Sequence, residues 1–326
     1  FEEGSNPDHT ELGVTQLAGD RITIEYVEPL AVRGQGRLRI GQVTHAYRDI
    51  MSPSFAKGLG DSGSCNNNAI CPVGDNWRPQ IRSVAMITVG GQGLCTGQLI
   101  NNCADDGIPY FLTANHCLGG NNSWVFRFNW QSPVCATNSN GPTNQTVSGS
   151  TLKTSSAGSD VALLQLNSTP PASYNVFYTG WDKSGAIPTS ATCIHHPSGD
   201  IKKISFENQS PSNASFGGAQ CWRIAAWDDG TTEPGSSGSG LWANNGLLIG
   251  QLYGGEADCS NNVNDYFGRF SVSYPLLTTW LGSCGNTHPG YPEVVGLEEP
   301  VNPELFSVLP NPTNGLLTVT VPAALR

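Results

Sequence analysis

Short apolar runs, each bounded by clusters of Asn, Gly and Ser, recur through the middle of this 326-residue chain. In Trp124–Trp130 (WVFRFNW) apolar and polar residues alternate, and such alternation is typical of a strand that buries one face. Gly (39) and Pro (22) are abundant, whereas only 13% of the residues are charged. Short strands between turn-forming residues favour an all-β sandwich or barrel over a helical fold.

The apolar runs form two groups, which meet at a Pro-rich junction, Thr169–Pro171. The first group is Ser83–Val89, Gly93–Ile100, Tyr110–Cys117, Trp124–Trp130 and Asp160–Leu166, and the second is Asn175–Gly180, Ala191–His196, Lys202–Phe206, Cys221–Trp227, Gly238–Trp242, Leu247–Tyr253 and Phe267–Val272. Two groups of about six strands predict two packed antiparallel β-barrels of six strands each.

One later segment departs from the strand pattern. In Ser273–Leu281 (SYPLLTTWL) the leucines and Trp280 share one helical face. Ser273 can cap the helix N-terminus, and Pro275 suits the first turn. We therefore expect a single C-terminal helix that closes the body.

The ten cysteines are even in number, widely scattered and free of any CxxC pair. This pattern argues against a zinc or redox motif and favours five disulfides, formed in an oxidising compartment. The residues alone leave the pairing open. We expect a secreted protein, either extracellular or at the cell surface.

The formal net charge of −10 and the pI near 4.9 come without any basic stripe. This balance argues against nucleic acid or an anionic membrane as a partner. The sequence has no apolar run of about 18 residues, so no membrane span is expected. An acidic surface is compatible with cationic substrates, although it also serves solubility.

A run of small residues in Thr231–Trp242 (TTEPGSSGSGLW) places hydroxyls between two strand-like segments. A serine that attacks a carbonyl needs an exposed Oγ on a tight turn, beside backbone N–H groups that can bind the oxyanion. Glycines permit that close backbone approach. Taken alone the run is a weak signal, because Gly/Ser clusters are most often flexible loops.

A base and an acid upstream strengthen this interpretation. His116 ends an apolar run beside Cys117, and Asp160 heads a strand, where a buried carboxylate needs hydrogen bonds. With Ser237 they give the order His, Asp, Ser. In such a triad the imidazole takes the serine proton, and the carboxylate fixes its tautomer. The first barrel would supply the base and acid and the second the nucleophile, at the cleft between them.

These residues carry a family resemblance. Thr113–Cys117 (TANHC) resembles the histidine box of the trypsin/chymotrypsin clan, and Gly235–Gly240 resembles its serine box. Within the clan the chain most resembles the bacterial lysyl endopeptidases, through SGSCNNNAICPVGD (62–75), CTGQLINN (95–102), YFLTANHC (110–117), AGSDVALLQL (157–166), GWDKSGAIP (180–188), IHHP (194–197), TEPGSSGSG (232–240), IGQLYGG (249–255) and DYFGR (265–269).

The resemblance spans residues 62–285 and implies a chymotrypsin-like fold and a secreted serine endopeptidase. It implies His116 as general base and acid, Asp160 as the orienting acid, and Ser237 as nucleophile. The oxyanion hole would be the N–H groups of Gly235 and Ser237. We expect a monomer that acts on polypeptides without a cofactor or metal. The alternative from another class is a catalytically silent adhesin or binding module.

The resemblance also implies where specificity arises. Trypsin carries its pocket carboxylate six residues before the nucleophile, and here that position is Thr231. The lysyl endopeptidases supply the acid from the segment that matches Asp265–Arg269, so Asp265 is expected to pair with a lysine at P1. Glu233 is expected to narrow the pocket toward lysine over arginine. The alternatives are an Asp265–Arg269 ion pair and a broader Arg/Lys preference.

The domain boundaries follow from the same comparison. Residues 1–57, with strands expected at Arg21–Val27 and Arg37–Val43, resemble the end of the family's pro-region; an N-terminal subdomain that stays attached is the alternative. Lys57-Gly58 suits self-processing. Residues 58–285 would be the protease domain and 286–303 a linker. Residues 304–326 resemble the truncated start of a type IX secretion sorting domain, so the pro-segment and the secretion machinery are expected partners.

Carried over by position, the family's disulfides predict Cys65–Cys259, Cys71–Cys135 and Cys95–Cys117. Four cysteines then have no family counterpart. For these we expect Cys193–Cys221 and Cys103–Cys284.

Four further positions bear on the chemistry. Ser236 stands where trypsin carries the acid that receives a new N-terminal ammonium, so activation is expected without that ion pair. His195 and His196 are neighbours on a strand and point to opposite faces, which argues against a shared metal. Phe216 and Tyr253 are expected where the family carries a Trp and a His beside the triad.

Overall fold

The computed structural model describes residues 21–27, 29–35, 40, 59–89, 92–118, 124–136, 139–292, 307–309 and 318–320. The chain divides into two compact units, Phe1–Pro292 and Glu293–Arg326. Regular structure in the described part is mostly β, with few helices: two large sheets in the first unit and a two-stranded one in the second. The predicted all-β class is therefore confirmed.

The elements are as follows, in chain order within each type. The strands are β1 (Asn67–Asn68), β2 (Val84–Val89), β3 (Gln92–Leu99), β4 (Tyr110–Ala114), β5 (Val125–Phe128), β6 (Thr146–Ser148), β7 (Ser150–Ser156), β8 (Val161–Leu166), β9 (Trp181–Asp182), β10 (Ala191–His195), β11 (Lys203–Glu207), β12 (Ser212–Phe216), β13 (Ala219–Ala226), β14 (Gly240–Ala243), β15 (Leu248–Gly255), β16 (Val263–Arg269), β17 (Thr287–His288), β18 (Ser307–Leu309) and β19 (Thr318–Thr320). The α-helices are α1 (Arg78–Ser83) and α2 (Phe270–Leu281), and 3₁₀ turns lie at Leu30–Val32, Pro72–Trp77, Asn115–Cys117, Ala172–Tyr174 and Pro197–Gly199.

The first barrel is a seven-stranded antiparallel sheet in the order β6-β5-β2-β3-β4-β8-β7. Its apolar side chains meet in one core, which includes Phe111, Phe126, Phe128 and Leu164. Full burial of each such side chain contributes about 1.5–3 kcal/mol. β4 and β8 pair directly, so the segment after β4 and the turn before β8 come together at one end of the barrel.

The second barrel is a ten-stranded sheet whose main path runs β1-β11-β10-β14-β15-β16-β13-β12. Three of its strands (β1, β9 and β17) are two residues long, which accounts for most of the excess over the six strands expected. Trp222, Leu241, Leu252 and Phe267 lie in its core. A further buried cluster combines side chains of both sheets with those of α2, so the two barrels and the helix share one core.

The C-terminal helix begins earlier than the sequence indicated. β16 ends at Arg269 and α2 starts at Phe270, so the expected strand over Phe267–Val272 stops three residues short and Ser273 is not the N-cap. The reason is packing: Phe270 and Tyr274 both contact the buried Trp181, and extending the helix to Phe270 places that ring in the shared core. Pro275 consequently lies inside the helix.

Three other strand predictions need correction or cannot be assessed. Arg21–Val27 is exposed and belongs to no strand, since no described segment pairs with it. Arg37–Val43 lies outside the described residues except for Ile40. Asn175–Gly180 makes only isolated bridges, Ile100 with Thr179 and Tyr178 with Tyr291.

In the second unit β18 and β19 pair antiparallel, with Ser307 opposite Thr320. The rest of the segment likened to a sorting domain lies outside the described residues. Nowhere in the described ranges is there a helix with the length and apolar content needed to span a bilayer.

The structure contains four disulfides: Cys65–Cys259, Cys71–Cys135, Cys95–Cys117 and Cys103–Cys284. The expected Cys193–Cys221 bridge is wrong, because both thiols are free and buried. Cys193 points into the second core, whereas Trp222 fills that core on β13 and its neighbour Cys221 therefore faces the other way. Three strands also separate β10 from β13 in the sheet.

Candidate active site

His116 lies on the 3₁₀ turn that follows β4, at the end of the first barrel. The disulfide between Cys117 and Cys95 ties this turn to β3. The Asn115 N–H donates to the Asp160 carbonyl at 2.8 Å, which holds the turn against the start of β8. The turn is thereby held at two points, while the His116 side chain stays 36% exposed.

Asp160 is 2% exposed and adopts a left-handed backbone conformation, with φ of +52°. Its Oδ1 accepts the His116 backbone N–H at 2.9 Å, and its Oδ2 lies 2.7 Å from the His116 Nδ1. An ionised carboxylate only accepts hydrogen bonds, so the Nδ1 carries the proton and Nε2 is left with its lone pair. This is the tautomer that a general base requires.

Ser237 lies on the loop between β13 and β14, and its backbone contacts the first barrel. Its carbonyl accepts the Thr96 N–H at 2.8 Å. Gly238 fits tightly here, because a Cβ on it would lie 2.8 Å from the Ala114 nitrogen and 2.2 Å from the Thr113 Oγ1. Its φ of +82° also favours glycine. The loop that carries Ser237 therefore packs against the end of β4, two residues before His116.

Within the described part of the chain the Ser237 hydroxyl makes no hydrogen bond to the imidazole. The oxygen that does bond to the ring is Asp160 Oδ2, at Nδ1. Catalytic hydrogen bonds are often long before substrate binds. The structure thus contains the His116–Asp160 hydrogen bond and packs the loop that carries Ser237 against the end of β4, close to His116 in the chain.

The N–H groups of Gly235 and Ser237 donate to no other described residue, whereas the Ser236 N–H between them closes a turn with the Glu233 carbonyl at 3.0 Å. Gly235 has φ of +97°, and its carbonyl accepts the Thr96 hydroxyl at 2.9 Å. Two free N–H groups on a fixed loop beside a nucleophile suit an oxyanion.

Asp265 is 1% exposed, on β16 in the second barrel. Its Oδ2 accepts from Trp227 Nε1 at 2.7 Å and from Thr232 Oγ1 at 2.6 Å. Burial raises the pKa of this carboxyl, although the hydrogen bonds from Thr232 and Trp227 oppose the rise. The Ala257 backbone also donates a hydrogen bond to this carboxyl and opposes the rise. A carboxylate offers about four lone-pair sites, so it can also accept from a cation.

The alternative ion pair between Asp265 and Arg269 does not form. Arg269 donates instead to Asn213 at 2.8 Å and to Gln220 at 2.7 Å. The sequence did not identify the hydrogen-bond donors of Asp265. Thr232 adjoins the serine box, but a threonine at that position does not by itself indicate a contact with a buried acid. Trp227 has the sequence context of an ordinary core residue.

The role of Glu233 in narrowing the pocket stays a prediction, and its carboxylate is bonded outside the Asp265 site. Its Oε1 accepts from the Gly63 N–H and the Asn66 Nδ2, each at 2.8 Å, and its Oε2 accepts the Ser198 hydroxyl at 2.6 Å. Both oxygens are therefore directed to other loops and not to Asp265. Neighbouring Thr232 takes the place beside the acid.

His195 and His196 are buried and have separate partners. His195 contacts the Ser236 hydroxyl through Nδ1 at 2.7 Å and the Ser205 hydroxyl through Nε2 at 3.0 Å. Burial, with a smaller contribution from nearby Lys203, lowers its pKa to about 3. His196 stacks on Trp130, and burial holds its pKa well below the usual range. Both rings are neutral, and a neutral His195 holds Ser236 by a hydrogen bond.

An aromatic group flanks the imidazole. Tyr253 stacks on His116 with ring centroids 5.5 Å apart, and Phe216 meets Tyr253 edge-on at 5.1 Å. Phe216 also stacks on Tyr266 at 4.4 Å. The two aromatic residues expected beside the triad therefore lie there.

The family model of the lysyl endopeptidase C-terminal domain matches residues 59–268. The chain belongs to the lysyl endopeptidase family. A lysyl endopeptidase of Pseudomonas aeruginosa is 31% identical over 289 residues, which are 81% of this chain and 62% of that relative. The chain thus spans less than two thirds of its relative's length.

Solved structures similar to the chain include the active form of the Rv3671c protease from M. tuberculosis and human heparin binding protein. The first is 17% identical, covers 66% of this chain and 86% of its own, and has a TM-score of 0.45. The second is 16% identical, covers 64% of this chain and 94% of its own, and has a TM-score of 0.46.

Proposed function

We propose that the chain is a serine endopeptidase that hydrolyses the peptide bond after lysine. The observation that carries the proposal is the buried Asp160 carboxylate bonded to both the backbone and the ring of His116. The loop that carries Ser237, on which the N–H groups of Gly235 and Ser237 donate to no described residue, packs against the end of β4, two residues before His116. Family membership supports the same chemistry.

In the proposed reaction the Ser237 Oγ attacks the substrate carbonyl carbon while His116 Nε2 takes the hydroxyl proton. The electron pair of the C=O moves to the oxygen, which the N–H groups of Gly235 and Ser237 bind. Asp160 stabilises the imidazolium. His116 then gives the proton to the leaving amine, the C–N bond breaks, and an acyl-enzyme forms. Water, deprotonated by His116, releases the acid and restores Ser237.

Lysine specificity is assigned to Asp265. A lysine ammonium that reaches this carboxylate finds one oxygen oriented by Trp227 and Thr232 and gains a charge-assisted hydrogen bond out of water. The compact ammonium suits a pocket that ends in a single acid, whereas the planar guanidinium of arginine prefers bidentate contacts. Cleavage after both residues remains the second candidate within the same class.

We also propose that the protein is secreted and monomeric and that residues 1–57 are a pro-segment cut at Lys57-Gly58. Four disulfides fit an oxidising compartment. The secretion route through a C-terminal sorting domain rests on the sequence resemblance of residues 304–326.

Two measurements test the proposal. A fluorophosphonate probe should label the native protein, and Ser237→Ala should abolish the labelling while the variant still folds. Digestion of a denatured protein followed by mass spectrometry should give new C-termini at lysine. Absence of labelling would favour the catalytically silent alternative, and equal cleavage after arginine would leave only the broader specificity.

A further inference from the structure

A short segment, Leu59–Asn66, follows the expected processing site and is held by side chains of both halves of the fold. The carboxylate of Asp200, which is 0% exposed, receives the polar groups of Gly60 and Ser62. The Gly60 N–H donates to Oδ1 at 2.8 Å, and the Ser62 N–H and hydroxyl donate to Oδ2 at 3.3 and 2.5 Å. A buried carboxylate here is thus satisfied largely by a segment about 140 residues away in the sequence.

Apolar packing holds the start of the same segment. Leu59 is 8% exposed and packs with Met86, Trp130 and Ile201 in a small cluster of its own. The Cys65–Cys259 disulfide fixes the other end. The segment is therefore docked by burial, hydrogen bonds and a covalent link.

Glu233 binds the second half of the segment. Its Oε1 accepts from the Gly63 N–H and from Asn66 Nδ2, while its Oε2 accepts the Ser198 hydroxyl at 2.6 Å. Gly63 cannot be larger, because a Cβ would lie 2.9 Å from that Oε1 and 2.2 Å from the Cys259 sulfur. One carboxylate thus joins the segment to the 3₁₀ turn Pro197–Gly199.

That turn supports the backbone of Gly235. The Ser198 N–H donates to the Pro234 carbonyl at 2.6 Å. A Cβ on Gly235 would lie 2.9 Å from the Gly199 nitrogen, so the turn and the loop are in close contact. The Asp200 N–H closes the turn onto the Pro197 carbonyl at 2.8 Å. Asp200 follows the turn directly and Glu233 bonds to Ser198 within it, so both carboxylates are connected to Gly235, the expected oxyanion donor, through this turn.

We propose that Asp200 and Glu233 are positioning residues, which bind Leu59–Asn66 against the Pro197–Gly199 turn and thereby fix the orientation of the Gly235 N–H. The inference rests on the proposed function. Trypsin orders the same loop by an ion pair between a buried ammonium and an acid. In this chain Ser236 stands at the position of that acid, so the ion pair cannot form. In this chain a docked backbone segment supplies that order.

The test compares Asp200→Asn, Glu233→Gln and Leu59→Ala with the unaltered full chain. Asp229→Asn is the control: Asp229 lies earlier on the same β13–β14 loop, and its side chain also accepts from the N-terminal region, through Asn67 at 2.7 Å. Among the described residues its carboxylate is bonded neither to the Pro197–Gly199 turn nor to Gly235. Three quantities are measured on a lysyl peptide amide: kcat, KM and inhibition. A peptide ending in lysine aldehyde reports the oxyanion hole, and n-butylamine reports the lysine pocket alone.

Loss of one oxyanion donor lowers kcat by about 10²–10³-fold. Misorientation of the Gly235 N–H in the three variants should therefore lower kcat by about tenfold or more. Aldehyde inhibition should weaken in parallel, with KM, butylamine inhibition and the control variant unchanged. Equal weakening of both inhibitors would indicate a general structural role and overturn the inference, as would wild-type kcat in the variants.

If Asp200→Asn does not fold, Glu233→Gln and Leu59→Ala decide the matter on the same readouts. The measurements also distinguish a failure of the positioning role from a failure of the proposed function. An unaltered chain that neither cleaves peptides nor reacts with a fluorophosphonate would refute the proposed function. An active chain whose folded variants keep full kcat would refute only the positioning role.

Discussion

Burial acts on two ionisable side chains of the second barrel in opposite directions. It raises the pKa of the Asp265 carboxyl, and it lowers the pKa of the Lys202 ammonium to about 7. In both residues the neutral form is favoured because the charge has lost its hydration. The difference lies in the neighbours: Asp265 accepts hydrogen bonds from Trp227, Thr232 and the Ala257 backbone, whereas the Lys202 ammonium donates to the Ile81 carbonyl at 2.7 Å.

Asp265→Asn should abolish the preference for lysine. Removing one partner of a desolvated charge pair costs about 2–5 kcal/mol, so kcat/KM for a lysyl peptide should fall about 10²-fold or more. A norleucine peptide, which lacks the ammonium, serves as the control substrate and should be cleaved at an unchanged rate. An unaltered ratio of lysine to norleucine cleavage would place the specificity residue elsewhere.

Lys202→Met should remove part of the pH dependence of stability. Below pH 7 the buried lysine is charged in both the folded and unfolded states, and the folded state bears the desolvation cost. As the pH rises from about 7 toward 10.5, the folded state loses its proton first, so stability increases. Urea unfolding at pH 6 and pH 9 should therefore show a smaller gain for the variant than for the parent. The half-exposed Lys153→Met should keep the parent's gain.

The turn that carries Asp160 depends on how closely β15 and β16 approach it. Gln251 on β15 donates to the Ser159 carbonyl at 2.7 Å. Gly268 on β16 faces the same carbonyl, and a Cβ there would lie 1.8 Å from the oxygen. The Ser159 hydroxyl also meets the Ser273 hydroxyl of α2 at 2.8 Å. Two strands and a helix of the second half thus position an acid of the first barrel.

Gly268→Ala should therefore reduce both stability and activity. Overpacking of a filled site costs about 1–3 kcal/mol, and displacement of Ser159 would move the Asp160 carboxylate away from His116. Urea unfolding and kcat measure the two effects. Gly285→Ala is the control, since its nearest neighbour lies at 3.5 Å, and its effect should stay within about 0.5 kcal/mol. Unchanged kcat in a destabilised Gly268→Ala would separate the strand contact from the catalytic geometry.

At the scale of the whole molecule, disulfides connect distant parts of the chain to the shared core. Cys65–Cys259 and Cys103–Cys284 span 194 and 181 residues. Each such bridge stabilises the fold by about 2–4 kcal/mol, chiefly by restricting the unfolded chain. The two remaining cysteines are buried as thiols: burial raises the pKa of Cys221 to about 11 and that of Cys193 even further above its usual range.

Thiol titration should distinguish this arrangement from five disulfides. The native protein should react with no maleimide, because Cys193 and Cys221 are buried and protonated. After unfolding in urea without reductant, two thiols per chain should react, and mass spectrometry should locate them at these two positions. If no thiol reacts in urea, Cys193 and Cys221 form a fifth disulfide and the arrangement described here is wrong.

Several features could be predicted from the sequence because their signals are local. The alternating runs predicted an all-β fold. The histidine box, and an acid at the head of a buried strand, predicted His116 and Asp160, which the structure joins by a hydrogen bond. The role of Ser237 stays a prediction. In these cases the signal lies in a residue's immediate neighbours.

Other features depend on contacts between segments that lie far apart in the chain, and no local pattern reveals them. Glu233 binds Gly63 across 170 residues, Asp265 takes a hydrogen bond from Thr232, and Cys221 faces away from Cys193 because of strand order. The sequence determined which groups could carry charge, attack or form bridges. Only the tertiary structure decided which of them pair, because a buried polar group binds whichever partner packing brings within about 3 Å.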